Sequence, residues 1–169
     1  GLNSVSNAKY INDIDTTWKA TETPSVVNIS TKLGSILSHE TGYFEPETFT
    51  YTLKSVPDEF DVRTAFPECE SVVSRVRDQS NCGSCWAFGA TEAFNDRYCI
   101  STGDNTKVFS PADTLACCSG FKCGFSKGCE GGQPSGAWSW FTKTGVVEGG
   151  DYNDDTTCKP YPFPSCAPH

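Results

Sequence analysis

The sequence of 169 residues contains no methionine, only two histidines, and no apolar run near the roughly 18 residues of a membrane span. Basic residues are also few, since 13 Lys and Arg stand against 21 Asp and Glu and give a formal charge of −8. This acidic excess argues against nucleic acid as a partner. No basic segment followed by an apolar one opens the chain, which indicates that a signal peptide has been removed or omitted.

Cysteine is unevenly distributed, because all ten cysteines lie from Cys69 onward. Ten cysteines in a chain of this length indicate an oxidising compartment, either outside the cell or in the secretory and endosomal pathway. The change in composition predicts two parts with different roles and a boundary near residues 55 and 56, where an exposed, extended segment would be easy to cleave. Asn28 begins an Asn-Ile-Ser sequon, which is an acceptor for N-glycosylation in a secreted chain.

One stretch organises the chain, and it reads Cys-Gly-Ser-Cys-Trp at residues 82–86. Apolar residues follow at helical spacing and predict an amphipathic helix with one buried face, formed by Trp86, Ala90, Ala93, Phe94 and Tyr98. We expect the Ser84 side chain to cap this helix. Cys85 then lies in the first turn, where free backbone N–H groups and the helix dipole favour a thiolate.

The residues alone leave three interpretations of this stretch open. The two cysteines can be structural half-cystines, as is common in secreted chains rich in cysteine. Cys82 and Cys85 also have the spacing of a redox pair, although the βαβ pattern typical of such pairs is not evident. The third interpretation is a thiol peptidase nucleophile, and the five residues match the signature around the nucleophile of papain-like cysteine peptidases at every position. On these residues the chain resembles that family and, within it, the cathepsin B group.

The resemblance implies an α+β, papain-like two-domain fold, in which a helical half and a β-barrel half enclose a groove. Residues 56–169 would supply mainly the helical half and would end in a segment similar to the occluding loop of cathepsin B. Residues 1–55 resemble, more weakly, the inhibitory propeptide of that group. Local signals predict a short helix over residues 13–20, a helix that begins at Ser110 and Pro111, and a third from Pro134 to a stop at Gly145.

By the same resemblance, we expect a cysteine-type endopeptidase that is made as a self-inhibited zymogen and acts on peptide or protein substrates. Cys85 would be the nucleophile, and Gln79 would donate a hydrogen bond to the oxyanion. The substrate would contact Gly83, Gly131, Gly132, Gln133, Pro134 and His169. Dipeptidyl carboxypeptidase activity would need a second histidine in the occluding-loop-like segment, where Pro168 stands instead.

Part of the catalytic machinery is missing from this sequence. The family's His and Asn lie roughly 130–150 residues after the cysteine, whereas only 84 residues (169 − 85) follow Cys85. His39 and His169 are the only histidines, and neither fits the catalytic position. We therefore expect a second disulfide-linked chain, or a missing carboxyl-terminal part, to carry both residues.

The resemblance further implies a disulfide pattern and a cellular location. The pairs would be Cys69–Cys99, Cys82–Cys129 and Cys118–Cys123, with partners beyond residue 169 for Cys117, Cys158 and Cys166. No cofactor and no metal are implied, and the location would be lysosomal, endosomal or extracellular. Two alternative functions remain: a catalytically inactive homologue that binds peptides, and a thiol–disulfide exchanger that uses Cys82 and Cys85.

Overall fold

The computed structural model describes residues 4–14, 19–20 and 57–166, and the chain divides into two compact units, residues 1–30 with 167–169 and residues 31–166. In the first unit, helix α1 (Ser4–Asp13) ends where the Asn12 side chain binds the backbone of Ala20, donating to its carbonyl at 2.8 Å and accepting from its N–H at 2.7 Å. Of the helix predicted over residues 13–20, the structure describes only the ends, where Asp13 is the last residue of α1 and residues 19–20 are not helical. Residues 15–18 lie outside the described ranges.

The second unit is built from helices joined by irregular segments. Its α-helices are α2 (Val62–Ala65), α3 (Glu70–Val73), α4 (Cys85–Thr102), α5 (Pro111–Cys117) and α6 (Pro134–Lys143). Single turns of 3₁₀-helix lie at Pro67–Cys69, Phe121–Cys123 and Gly128–Glu130. Between described residues, β-structure is confined to two isolated bridges, Phe109 with Glu148 and Gly120 with Ser126.

Helix α4 is the core of this unit and packs against both α5 and α6. Its buried residues lie around most of its circumference: Trp86, Ala87, Phe88, Ala90, Thr91, Asn95 and Cys99. The expectation of a single buried face is therefore wrong, because α4 has neighbours on more than one side. The buried polar residues Thr91 and Asn95 are hydrogen-bonded, since Thr91 Oγ1 lies 2.9 Å from Thr114 Oγ1 and the Asn95 amide donates to the Lys107 carbonyl at 2.8 Å.

The ends of α5 and α6 follow the local signals in the sequence. Ser110 caps α5, since its side-chain oxygen accepts from the Asp113 N–H at 3.0 Å, and Pro111 is the first helical residue. Helix α6 begins at Pro134 and ends at Lys143. Gly145 then takes a φ of 91°, a backbone conformation that favours glycine, and its N–H returns to the Phe141 carbonyl at 3.1 Å.

Three disulfides fasten these segments together, and they are the pairs that the resemblance implies. Cys69–Cys99 links the 3₁₀ turn before α3 to the end of α4, Cys82–Cys129 links the loop before α4 to the turn before α6, and Cys118–Cys123 closes a short loop after α5. Cys117 and Cys158 are exposed and form no disulfide with a described cysteine. Their predicted partners beyond residue 169 remain an expectation.

Candidate active site at the amino end of the central helix

Cys85 is the first residue of α4, and its side chain is only partly buried. It forms no disulfide with any described cysteine. Cys82, three residues earlier, is bonded to Cys129. The two cysteines of the motif therefore differ in chemistry, because one is a structural half-cystine and the other carries a thiol at the start of a buried helix.

The loop before Cys85 is fixed by hydrogen bonds from both its side chains and its backbone. The Gln79 amide donates to the Cys82 carbonyl at 2.7 Å, and the Gly83 N–H donates to the Cys129 carbonyl at 3.0 Å. Ser80 has a φ of 58°, unusual for a residue with a side chain, and its N–H donates to Asp78 Oδ1 at 2.6 Å. The loop thus places Gln79 and Cys85 in one tightly connected segment.

Ser84 does not cap α4 with its side chain, so that expectation is wrong. The hydroxyl is fully buried and lies 2.9 Å from the Tyr161 hydroxyl, which directs it away from the free N–H groups of the first turn. The Ser84 carbonyl nevertheless accepts from the N–H groups of Ala87 and Phe88 at 2.9 and 3.0 Å, as the first turn of a helix requires.

Tyr161 is the residue of this site that the sequence analysis missed. It lies in an irregular, proline-rich segment, yet its side chain is only 2% exposed. Its ring packs edge-on against Phe88, with centroids 4.8 Å apart, and its hydroxyl donates to the Gln79 carbonyl at 2.8 Å. Burial raises the pKa of Tyr161 above its usual value, although the hydrogen bond with Ser84 opposes the shift. A tyrosine between prolines was the only signal, and it is too weak to predict such burial.

The predicted substrate strip lies directly against the helix that carries Cys85. Gly131 has a φ of 113°, and a Cβ built on Gly132 would lie 2.5 Å from Trp86 Cε2 and 2.6 Å from Ser126 Oγ. The Trp86 indole N–H donates to the Gly128 carbonyl at 3.1 Å, so the turn that precedes the strip is bonded to the residue next to Cys85. Gln133 follows with its N–H on Ser126 Oγ at 3.1 Å, and Pro134 begins α6.

Other predicted residues lie outside the described ranges or contribute only local contacts. His169, His39 and Asn28 are not among the described residues. The Cys166 N–H donates to Asp78 Oδ2 at 3.0 Å, which connects the end of the described chain to the residue before Gln79. Within the described ranges, no group of three His, Cys, Asp or Glu residues is arranged to hold a metal ion. No described helix is both long and apolar enough to cross a bilayer.

The sequence was compared with models of known protein families, and one family matches most of the chain. The family described as papain family cysteine protease matches residues 56–167. The chain therefore belongs to the papain family of cysteine proteases, as the motif at residues 82–86 predicted.

Individual relatives point to the cathepsin B group. The chain is 49% identical over 115 residues to cathepsin B-like cysteine proteinase 6 of Caenorhabditis elegans, a match covering 68% of this chain and 29% of that protein. It is 48% identical over 115 residues to a cathepsin B-like cysteine proteinase of Schistosoma japonicum, covering 68% of this chain and 32% of that protein. The solved structure of proCathepsin B S9 from Trypanosoma congolense gives a TM-score of 0.70 at 29% identity and covers 95% of this chain and 53% of that one. The chain thus spans about a third of the length of the curated relatives it matches.

Proposed function

We propose that this chain is the amino-terminal portion of a cysteine-type endopeptidase of cathepsin B type. The Cys85 thiolate attacks the carbonyl carbon of a peptide bond, the amine leaves with a proton, and water then releases the acyl group from the sulfur. The observation that carries the proposal is the thiol of Cys85 at the first residue of α4, beside a Cys82 that is already bonded to Cys129.

Gln79 and the Cys85 N–H are the proposed donors to the oxygen that becomes negative during the attack. A glutamine amide carries two N–H donors, and one of them holds the Cys82 carbonyl at 2.7 Å. This bond supports the assignment, because it keeps the Gln79 amide in the loop that ends at Cys85. Gly83, whose N–H is bonded to the Cys129 carbonyl, lines the same loop.

The substrate's backbone is proposed to lie along Gly131 and Gly132, with Gln133 and Pro134 at its edge. The support is steric, since the Trp86 ring and the Ser126 hydroxyl leave no room for a side chain on Gly132. A strip without side chains allows a peptide to approach the backbone closely and to form main-chain hydrogen bonds. Peptides and proteins are therefore the proposed substrates.

Residues 1–55 are proposed to be the inhibitory propeptide, and residues 56–169 the peptidase portion. The likeness to a solved proform supports this division, because the match covers 95% of this chain. The catalytic His and Asn are proposed to lie on a second disulfide-linked chain or on a further carboxyl-terminal part. Cys117, Cys158 and Cys166 would bond to that part, and His169 would contact a substrate carboxylate if dipeptidyl carboxypeptidase activity is present.

A secretory route to a lysosomal, endosomal or extracellular location fits the three disulfides. Glycosylation at Asn28 would follow from the same route. The thiol–disulfide exchanger is disfavoured, because the Cys82–Cys129 bond deprives Cys85 of the neighbouring thiol that an exchanger needs. The catalytically inactive homologue is the alternative that the experiment must separate from the peptidase.

The test combines intact mass of the protein as isolated with active-site labelling after the proposed propeptide has been cleaved near residues 55 and 56. We expect one equivalent of a peptidyl epoxysuccinate to alkylate the protein at Cys85. Cys85→Ser should abolish the labelling, and the control Ser119→Ala, at an exposed residue outside the site, should leave it unchanged. Reduction should release a chain that carries His and Asn, or the intact mass should already include them. A mass of only 169 residues under both conditions, with no labelling at Cys85, would favour the inactive homologue.

A further inference from the structure

We propose that Tyr161 is a positioning residue for the active site, whose hydroxyl holds together the two ends of the loop at residues 79–84. The inference rests on the function proposed above, since it concerns the geometry between Gln79 and Cys85. Tyr161 is far from both in sequence, at 82 residues from Gln79 and 77 from Ser84, yet its hydroxyl contacts both ends of the loop.

The direction of each hydrogen bond follows from the chemistry of the groups. A phenol has one hydrogen, and a carbonyl can only accept, so the Tyr161 hydroxyl donates to the Gln79 carbonyl at 2.8 Å. The Ser84 hydroxyl, at 2.9 Å, then donates to the Tyr161 oxygen, and the Cys82 carbonyl is a second, longer acceptor at 3.5 Å. The result is a chain of two hydrogen bonds, in which the Ser84 hydroxyl donates to the Tyr161 hydroxyl and the Tyr161 hydroxyl donates to the Gln79 carbonyl.

The position of Tyr161 is fixed by a contact of its ring and by a hydrogen bond of its backbone. The ring packs against Phe88, which lies on α4 three residues after Cys85, with the two ring planes at 75°. Its backbone N–H donates to the Gly150 carbonyl at 3.1 Å, and the same carbonyl accepts from Arg77 Nη2 at 2.7 Å. Because the ring and the backbone are both fixed, the hydroxyl provides a rigid point to which the loop is attached.

The consequence concerns the two groups proposed to act on the substrate. Ser84 immediately precedes the nucleophile, and the residue whose carbonyl Tyr161 holds is the one that supplies the oxyanion donor. Loss of the hydroxyl would remove this donor from the Gln79 carbonyl and leave the buried Ser84 hydroxyl only the longer contact to the Cys82 carbonyl at 3.5 Å, so the loop would relax to satisfy both groups. A shift of the Gln79 amide relative to Cys85 would weaken binding of a tetrahedral oxyanion far more than it would change the reactivity of the thiol.

Tyr161→Phe tests this directly, because it removes the hydroxyl and keeps the ring. Two probes are compared on the protein after the proposed propeptide has been cleaved near residues 55 and 56. The aldehyde acetyl-leucyl-leucyl-argininal forms a hemithioacetal with Cys85: the sulfur–carbon bond forms, the carbonyl π bond breaks, and the thiol proton passes to the oxygen, which occupies the oxyanion site. Iodoacetamide alkylates the same thiol with loss of iodide and places no oxygen in that site. We expect Tyr161→Phe to lower aldehyde affinity by about tenfold and to leave the alkylation rate unchanged within about twofold.

A double-mutant cycle separates positioning from general loss of structure. We expect Gln79→Ala to lower aldehyde affinity by about tenfold or more, and Tyr161→Phe to add little in the Gln79→Ala background, since it acts through Gln79. Tyr152→Phe, at an exposed tyrosine, is the matched control and should leave both probes unaffected. Should Tyr161→Phe not fold, Ser84→Ala removes the other donor in the chain and should lower aldehyde affinity without a matching fall in alkylation.

The outcomes distinguish this inference from the proposed function. Aldehyde affinity that is unchanged in Tyr161→Phe, or in Ser84→Ala if only that variant folds, overturns the positioning role while Gln79→Ala still supports the peptidase. Equal losses with both probes, or full additivity in the cycle, also overturn the role, because they indicate a structural effect alone. An unsubstituted protein that binds no aldehyde overturns the proposed function and this inference with it.

Discussion

At the start of α4, Trp86, Ala87, Phe88 and Ala90 are buried, whereas Glu92, Asn95 and Asp96 of the same helix line a cavity of about 320 Å³. In the first stretch, Trp86 fills the space beside Gly132 and its indole N–H is bonded. In the second, Glu92 Oε1 is buried without a hydrogen-bond partner among the described residues. Buried polar groups of this helix are thus bonded beside Cys85, whereas one of them, Glu92 Oε1, lacks a partner among the described residues a turn or two further on.

The two stretches also differ in electrostatics, because the second contains the partly buried carboxyl groups of Glu92 and Asp96. Burial raises the pKa of Glu92 above its usual value, Arg77 opposes the shift, and Asp96 adds to it. Burial likewise raises the pKa of Asp96. Arg77, which also lines the cavity, is engaged elsewhere through a 2.7 Å bond to Asp151 and bonds to backbone carbonyls. A buried acceptor without a partner costs about 1–3 kcal/mol, so among the described residues of α4 we place that cost at Glu92 and not at the candidate site around Cys85.

The largest expected effect comes from removing the disulfide between the loop before α4 and the turn before α6. The Cys82–Cys129 bond spans 47 residues, and Cys82→Ala with Cys129→Ala should lower the free energy of unfolding by about 4 kcal/mol through loop entropy. Cys118→Ala with Cys123→Ala is the matched control. That bond spans 5 residues and should cost about 2 kcal/mol. Urea unfolding measures both, and equal losses would contradict the loop-length argument.

A smaller effect is expected from crowding the tight packing around Trp86. Gly132→Ala should lower the free energy of unfolding by about 1–3 kcal/mol, because the new methyl group would meet the Trp86 ring and Ser126 Oγ. Gly89→Ala serves as the control, since Gly89 lies on the exposed side of α4 with no atom within 4 Å of the added Cβ. That change should raise stability by about 0.5–1 kcal/mol, from helix propensity. Thermal unfolding of both variants measures these changes. An unchanged stability of Gly132→Ala would contradict the tight packing around Trp86.

The smallest effect is expected at the cavity, and it depends on pH. A carboxyl whose pKa is raised in the folded state keeps its proton there after the unfolded chain has lost it, so Glu92 lowers stability as pH rises above its unfolded pKa of 4.5. Glu92→Gln should therefore be more stable than the unsubstituted protein at pH 7, and the difference should shrink at pH 4. Urea unfolding at the two pH values provides the measurement, with Glu68→Gln at an exposed site as the control. A difference that grows towards pH 4 would have the wrong sign.

Local signals predicted the features that depend on a few neighbouring residues. Ser110 with Pro111 marked the start of α5, and Gly145 marked the end of α6, because capping and a positive φ act within one turn. The same reasoning was wrong for Ser84, whose hydroxyl is taken by Tyr161. The prediction of a single buried face for α4 was also wrong. The spacing of apolar residues indicates that a segment is helical, but it does not show how many neighbouring segments will pack against the helix.

The sequence by itself determined the family, through residues 82–86, and the resemblance on those residues also implied the three disulfides that the structure contains. The tertiary structure alone decided that Tyr161 reaches Gln79 and Ser84, and that Glu92 borders a cavity. The physical reason is the distance along the sequence between the residues that interact. A cap or a turn is set by contacts within a few residues, whereas a hydrogen bond between residues 82 positions apart depends on how whole segments pack.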